Sequence, residues 1–282
     1  MPVDLSTASR FMKVMKLPLF LTVSLLLPAL LTADWVHEKV AYTHDGTQFS
    51  GHLLYEEDAA DENERLPAIF MVPNWMGPDT EATLKKAKEI ADDDFVIFIA
   101  DLYGVSVRPD SAKEAGSAAG FVRSDRPLMR ARTQAALDAF KAQAGKHPFR
   151  SDQILGIGFC FGGGTLLEYA RSGTQDLRGI VSFHGDLKSP TLETDAGKVQ
   201  IPQLVLHGAD DPYVPQSDVQ AYIAAMQAGS VEDWTLVQFS NTVHSFTDPT
   251  AKSDGARYHK RSAERAFEMM EDFAEDWLGR DD

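Results

Sequence analysis

The stretch Ile154-Leu155-Gly156-Ile157-Gly158-Phe159-Cys160-Phe161-Gly162-Gly163-Gly164 passes from an apolar segment into a cluster of glycines. A short apolar run ended by glycine reads as a buried strand, Ile154–Gly158, and the residues after Cys160 open a helix. Between the two, Gly158-Phe159-Cys160-Phe161-Gly162 puts Cys160 on a sharp strand-to-helix turn, where a larger residue at either glycine would clash. The start of a helix also offers its dipole and free N–H groups to an anion, which suits a thiolate. A cysteine taken alone is more often a small buried hydrophobe. Here the turn makes Cys160 a candidate nucleophile.

Working outward, strands and helices alternate. Val36–Tyr42 and Phe49–Tyr55 flank His44-Asp45-Gly46 as a hairpin with a D-G turn. Ala68–Val72, Phe95–Ala100, Gly179–Phe183 and Gln203–His207 read as buried strands, and Trp234–Phe239 as a further strand. Glu81–Ala91, Arg130–Ala144, Ser217–Gln227 and Arg261–Leu278 have helical spacing. Asp58–Arg65 reads as a short charged loop, and Ser111–Gly120 as a small polar surface loop or the edge of a lid. Such alternation specifies an α/β protein with a mostly parallel sheet covered by helices on both faces. With the elbow at Cys160, this is the pattern of the α/β-hydrolase fold.

In this fold the acid and then the histidine follow the nucleophile along the chain, in loops at the carboxyl ends of strands. After Gln203–His207 comes Gly208-Ala209-Asp210-Asp211-Pro212-Tyr213-Val214-Pro215. The D-x-x-V-P turn selects Asp211 as the acid and leaves Asp210 to cap or bond the loop. After Trp234–Phe239 comes Asn241-Thr242-Val243-His244-Ser245-Phe246, which makes His244 the base. Asp211 would orient the imidazole, and His244 would control the Cys160 proton. His184 and His207 end strands at the same rim, His184 as a site-lining residue, whereas His37, His44, His52, His147 and His259 read as surface or structural. One oxyanion-hole N–H is expected from Phe161 and the second from the loop Pro73-Asn74-Trp75-Met76-Gly77, with Trp75 as the donor and Asn74 lining the site.

Composition narrows the function classes. The 282 residues carry a formal charge of −15, so no basic stripe is available for nucleic acid or anionic lipid. A single cysteine excludes an intramolecular disulfide and a cysteine-based zinc site, and no His/carboxylate metal spacing occurs. No metal or organic cofactor is expected. Arg10, Lys13 and Lys16 precede an uncharged apolar run, Leu17–Ala33. Residues 1–33 therefore read as an export signal, periplasmic or secretory, with an uncleaved membrane anchor as the rival; a start at Met12 would make the signal compact. Residues 34–282 then form one α/β-hydrolase domain.

These motifs together resemble the dienelactone hydrolase family: the elbow G-F-C-F-G-G-G at 158–164, Asp101-Leu102-Tyr103-Gly104 after a strand, D-P-Y-V-P at 211–215 and His244-Ser245-Phe246. The resemblance covers about residues 45–278 in the right order. It implies hydrolysis of a small ester or lactone through a thioester on Cys160, without cofactor. Three departures stand out. The family's founding members carry a glutamate that helps control the cysteine proton where Asn74 stands, and members active on dienelactone carry arginines that hold the substrate carboxylate where Val105 and Asp248 stand. The departures predict that dienelactone itself is a poor substrate. An acyltransferase or thioesterase with the same triad, and a catalytically weak binding module, are the alternative readings.

Overall fold

Side chains along the third strand point alternately into two cores. Ala68, Phe70 and Val72 belong to one, and Ile69 and Met71 to the other. All five are buried, which is why the strand reads as an unbroken apolar run rather than an alternating one. Each fully buried Phe or Ile contributes about 1.5–3 kcal/mol of transfer free energy.

The computed structural model describes residues 34–59 and 65–279. The expected signal at 1–33, and residues 60–64 of the charged loop, lie outside the described residues. The strands are β1 (Trp35–His44), β2 (Thr47–Glu56), β3 (Leu66–Val72), β4 (Val96–Ile99), β5 (Phe149–Phe159), β6 (Gly179–Phe183), β7 (Gln203–Gly208) and β8 (Trp234–Phe239). They form one sheet in the order β1-β2-β4-β3-β5-β6-β7-β8. The β1–β2 hairpin and the β2–β4 pairing are antiparallel, and every pairing from β4 to β8 is parallel. The helices are α1 (Glu81–Ala91), α2 (Ala112–Ser124), α3 (Arg126–Lys141), α4 (Phe161–Ala170), the short α5 (Leu192–Asp195), α6 (Gln216–Ala228) and α7 (Lys260–Leu278). Residues of α1 and α7 pack into the core with Ile69, and residues of α2, α3, α4 and α6 into the core with Phe70. The α/β-hydrolase reading of the sequence is the observed architecture.

Three sequence readings are corrected. The segment read as a small polar loop at 111–120 is helical: Ser111 caps α2 by accepting the Glu114 N–H, and Ala115, Ala118, Ala119 and Val122 form its buried face. Small residues make that face, so the hydrophobic period is weak even though the packing is close. Helix α3 starts at Arg126 rather than Arg130, because Asp125 accepts the Leu128 N–H and Pro127 occupies the first turn. Strand β5 also extends back to Phe149, whose ring stacks on Phe140 at 4.6 Å.

Candidate active site

The parallel strands deliver their loops to one rim. At the end of β5 the chain turns through Cys160, with φ +54° and ψ −112°, and enters α4. A non-glycine residue at positive φ is strained and needs support. The Cys160 N–H donates to Phe183 O at 3.0 Å, which ties the turn to β6. The flanking glycines follow from distance. A Cβ on Gly158 would lie 2.4 Å from the Gly162 carbonyl, and one on Gly162 would lie 2.0 Å from Val72 O. The elbow is therefore pressed against its own helix on one side and the end of β3 on the other.

After β7, Asp211 is 3% exposed, and its Oδ1 accepts the N–H groups of Tyr213 (2.8 Å) and Val214 (3.2 Å). That leaves Oδ2 for His244 Nδ1 at 2.7 Å. Asp210, the neighbouring alternative, is exposed and uses its backbone N–H to bond Thr242 O. The His244 backbone is pinned on both sides, its N–H to Gly255 O (3.2 Å) and its carbonyl to the Arg257 N–H (2.9 Å). Burial alone would favour a neutral imidazole. The hydrogen bond to Asp211 and the hydrogen-bonding and charge of Cys160 outweigh it and raise the His244 pKa to about 10. With Nδ1 committed to Asp211, Nε2 is the nitrogen left for Cys160. The three residues thus form one electrostatic unit.

Phe161 and the 73–77 loop line one small cavity together with Tyr103. Asn74 is used internally: its Oδ1 accepts the Met76 N–H at 2.9 Å and its carbonyl accepts the Gly77 N–H at 3.0 Å. This is a turn-forming role. The turn presents Trp75, whose carbonyl accepts the Tyr103 hydroxyl at 2.9 Å. Trp75 is 37% exposed, and its ring lies over Gly116 of α2. Of the two positions that lack arginine, Val105 is exposed and Asp248 folds onto its own loop by accepting from Thr250. The nearby Arg108 is committed to Asp101, Asp79 and the Gly104 carbonyl.

Sequence reading missed four groups here. Tyr103 holds the Trp75 carbonyl. Tyr213 is 60% exposed and stands edge-on to His244 at 5.3 Å. Both sit in motifs noticed for their aspartates. Arg123, delivered by the unforeseen α2, lies 5.8 Å from the Phe161 ring and 3.7 Å from Asp186. Lys86 is half-buried on α1, a helix whose sequence carries no site signal. His184, read as lining the site, is 3% exposed and packs edge-on against His244 at 5.0 Å from the buried side.

The dienelactone hydrolase family model matches residues 53–278. Two solved structures are 31% identical to the chain. The one titled m3DLH covers 86% of this chain and 98% of its own, with a TM-score of 0.75. The dienelactone hydrolase-like promiscuous phosphotriesterase P91, from metagenomic libraries, covers 87% and 99%, with a TM-score of 0.76. A Caenorhabditis elegans protein, K02A2.1, is 31% identical over 153 residues, 51% of this chain and 91% of its own. The chain belongs to the dienelactone hydrolase family and is a hydrolase-type enzyme.

Proposed function

We propose that the protein hydrolyses small neutral esters or lactones through a thioester on Cys160. The observation that carries this reading is the 2.7 Å bond from His244 Nδ1 to Asp211, which leaves the other face of the imidazole to a cysteine on a strained elbow. The Cys160 thiolate attacks the carbonyl carbon, and the N–H groups of Phe161 and Trp75 hold the oxygen that becomes negative. As the C–O bond breaks, the His244 imidazolium gives its proton to the departing alkoxide; in a lactone the alcohol stays tethered to the acyl chain. Neutral His244 then takes a proton from water, the hydroxide adds to the thioester, and the C–S bond breaks to return thiolate and imidazolium. Asp211 stabilises the imidazolium throughout and fixes its tautomer.

Val105 and Asp248 support a neutral substrate, because neither can pair with a carboxylate, and Arg123 is offset by Asp186. Dienelactone is accordingly a poor substrate. With Asn74 committed to its turn, control of the thiol falls to His244. The 31% identity to a promiscuous phosphotriesterase favours a second reaction at the same thiolate, on a neutral phosphotriester. The catalytic domain is residues 34–282, and residues 1–33 direct export; amino-terminal sequencing of protein recovered outside the cytoplasm would begin near Asp34, and a start at Met1 would overturn that assignment.

The test is a panel of neutral and anionic esters, lactones and one phosphotriester, with wild type and Cys160→Ala. Neutral acyl substrates should be turned over by wild type and not by the variant. Equal hydrolysis by both proteins, or dienelactone turned over as fast as a neutral ester, would overturn the reading.

A further inference from the structure

Behind His244, on the side away from solvent, lies a set of polar groups that the reaction above does not use. His184 is fully enclosed, and its ring stands edge-on to His244, with centroids 5.0 Å apart. Its Nε2 lies 2.9 Å from Thr247 Oγ1. Thr247 in turn accepts from Lys86 Nζ through its carbonyl (3.2 Å) and its hydroxyl (3.4 Å). The same ammonium sits 4.3 Å from the centre of the Phe159 ring, the residue before Cys160. The chain Lys86–Thr247–His184 thus ends on the face of the base.

This arrangement is costly. His184 has φ +41°, and its Nδ1 is buried without a hydrogen-bond partner among the described residues. A non-glycine at positive φ and an unpaired buried polar atom each destabilise the fold. An apolar residue would avoid the second cost. Packing alone would not explain a histidine tied by one nitrogen to a threonine that is itself tied to a half-buried lysine.

We propose that His184 is a positioning residue: anchored through Thr247 to Lys86, it holds the His244 ring in the plane that spans Asp211 and Cys160. A ring bonded only at Nδ1 can still swing about that bond. Tyr213 meets it on the exposed side at 5.3 Å and His184 on the buried side, so rotation is blocked from both. The charged and titratable groups that face His184 are His244, Lys86 of α1 and His207 at the end of β7; Asp248 faces Lys86. Burial, then the charges of His244 and Lys86, push the His184 pKa well down, so it stays neutral beside the imidazolium. Burial likewise lowers Lys86, to about 8, so its ammonium is present at neutral pH.

The proposal rests on the triad reading, and its test separates the two. The probe is the rate of iodoacetamide alkylation of Cys160 in the full chain, followed against pH, together with kcat and KM on a neutral ester. Thr247→Val removes the hydroxyl bonded to His184 but keeps the side-chain volume and the carbonyl bonded to Lys86. It should lower kcat and the neutral-pH alkylation rate about tenfold, the scale of a small misplacement of a reacting group. It should also move the alkaline limb to lower pH, with KM little changed; the melting temperature falls too, because His184 Nε2 loses its partner, so the pH profile is the deciding readout. Thr247→Ser should restore both profiles. A Thr247→Val protein with wild-type profiles, or a Ser variant as impaired as the Val variant, overturns the proposal. Slow wild-type alkylation with no dependence on His244 overturns the triad itself. Should Thr247→Val fail to fold, Lys86→Met provides the same test from the far end of the chain, with a smaller shift of the limb expected and an unshifted limb contradicting the proposal.

Discussion

The loops after β4 and β7 are built alike and do different work. Each begins with a buried aspartate followed two residues later by a tyrosine: Asp101-Leu102-Tyr103 and Asp211-Pro212-Tyr213. In each, Oδ1 accepts the N–H groups two and three residues on, Tyr103 and Gly104 in the first, Tyr213 and Val214 in the second. The second oxygen separates them. Asp101 Oδ2 accepts from Arg108 at 2.8 Å and from the Ser50 N–H at 3.1 Å, while Asp211 Oδ2 accepts from His244 at 2.7 Å. A partner that is always charged makes a fixed joint; a partner that titrates suits the proton transfers of the proposed reaction. One turn motif supplies both.

Replacing each carboxylate by its amide should divide the two roles most sharply. In Asp211→Asn the amide oxygen still accepts from Tyr213 and Val214, so the turn survives, but the anion that supports the imidazolium is gone. We expect kcat/KM to fall by about 10³–10⁴, the scale seen when a triad aspartate is amidated, with unfolding in urea little changed. In Asp101→Asn the buried partner of Arg108 is lost. Because Arg108 is partly exposed, we expect a loss of about 2–3 kcal/mol in the urea titration, and activity per folded molecule within a few-fold. A folded, inactive Asp101→Asn, or an active Asp211→Asn, would break the comparison.

The titrating partner also leaves a mark on pH dependence. His244 rises from 6.5 to about 10 in the folded chain, so its contribution to stability is fully present below 6.5 and is lost as pH rises through about 10. Activity should share the upper limb, because in the proposed reaction the leaving alkoxide takes the imidazolium proton. The expected kcat/KM profile falls near pH 10 in wild type, and in the residual activity of Asp211→Asn the limb moves toward 6.5. A wild-type limb near 7 would show that Asp211 and Cys160 do not hold the proton.

What the sequence reveals about these loops follows the same division. The strands were legible because both faces of the sheet are buried, so β3 and β4 are unbroken apolar runs. The elbow was legible because two close backbone contacts demand glycine. Asp211 and His244 could be placed by chain order, since the fold fixes which loop each occupies. Helix α2 was hidden by its mostly alanine buried face, and with it the placement of Gly116 under Trp75 and of Arg123 beside Phe161. Lys86 and Tyr103 were hidden for another reason. Their roles depend on Thr247 and Trp75, 161 and 28 residues away in sequence, and nothing local to either residue marks such a contact. The arginine-depleted positions, Val105 and Asp248, were legible as substitutions, while the turn that occupies Asn74 required its hydrogen bonds to be seen.

The two tyrosines extend the comparison to its smallest expected effect. Tyr103 is buried and donates its hydroxyl to the Trp75 carbonyl, so it holds the loop of the proposed second oxyanion donor. Tyr213 is exposed, and its contact with His244 is made by the ring. The hydroxyl therefore matters in one loop and the ring face in the other. Tyr103→Phe removes one hydrogen bond, worth about 1 kcal/mol net, and we expect kcat to drop roughly five- to tenfold with KM unchanged, because the loosened donor is needed only once the oxyanion forms. Tyr213→Phe keeps the ring and should change kcat/KM by less than about twofold, the scale of a surface substitution. Steady-state kinetics of the two variants on one neutral ester decide the matter. Equal losses would mean that the hydroxyls act alike and that the Tyr103–Trp75 bond does not position the donor.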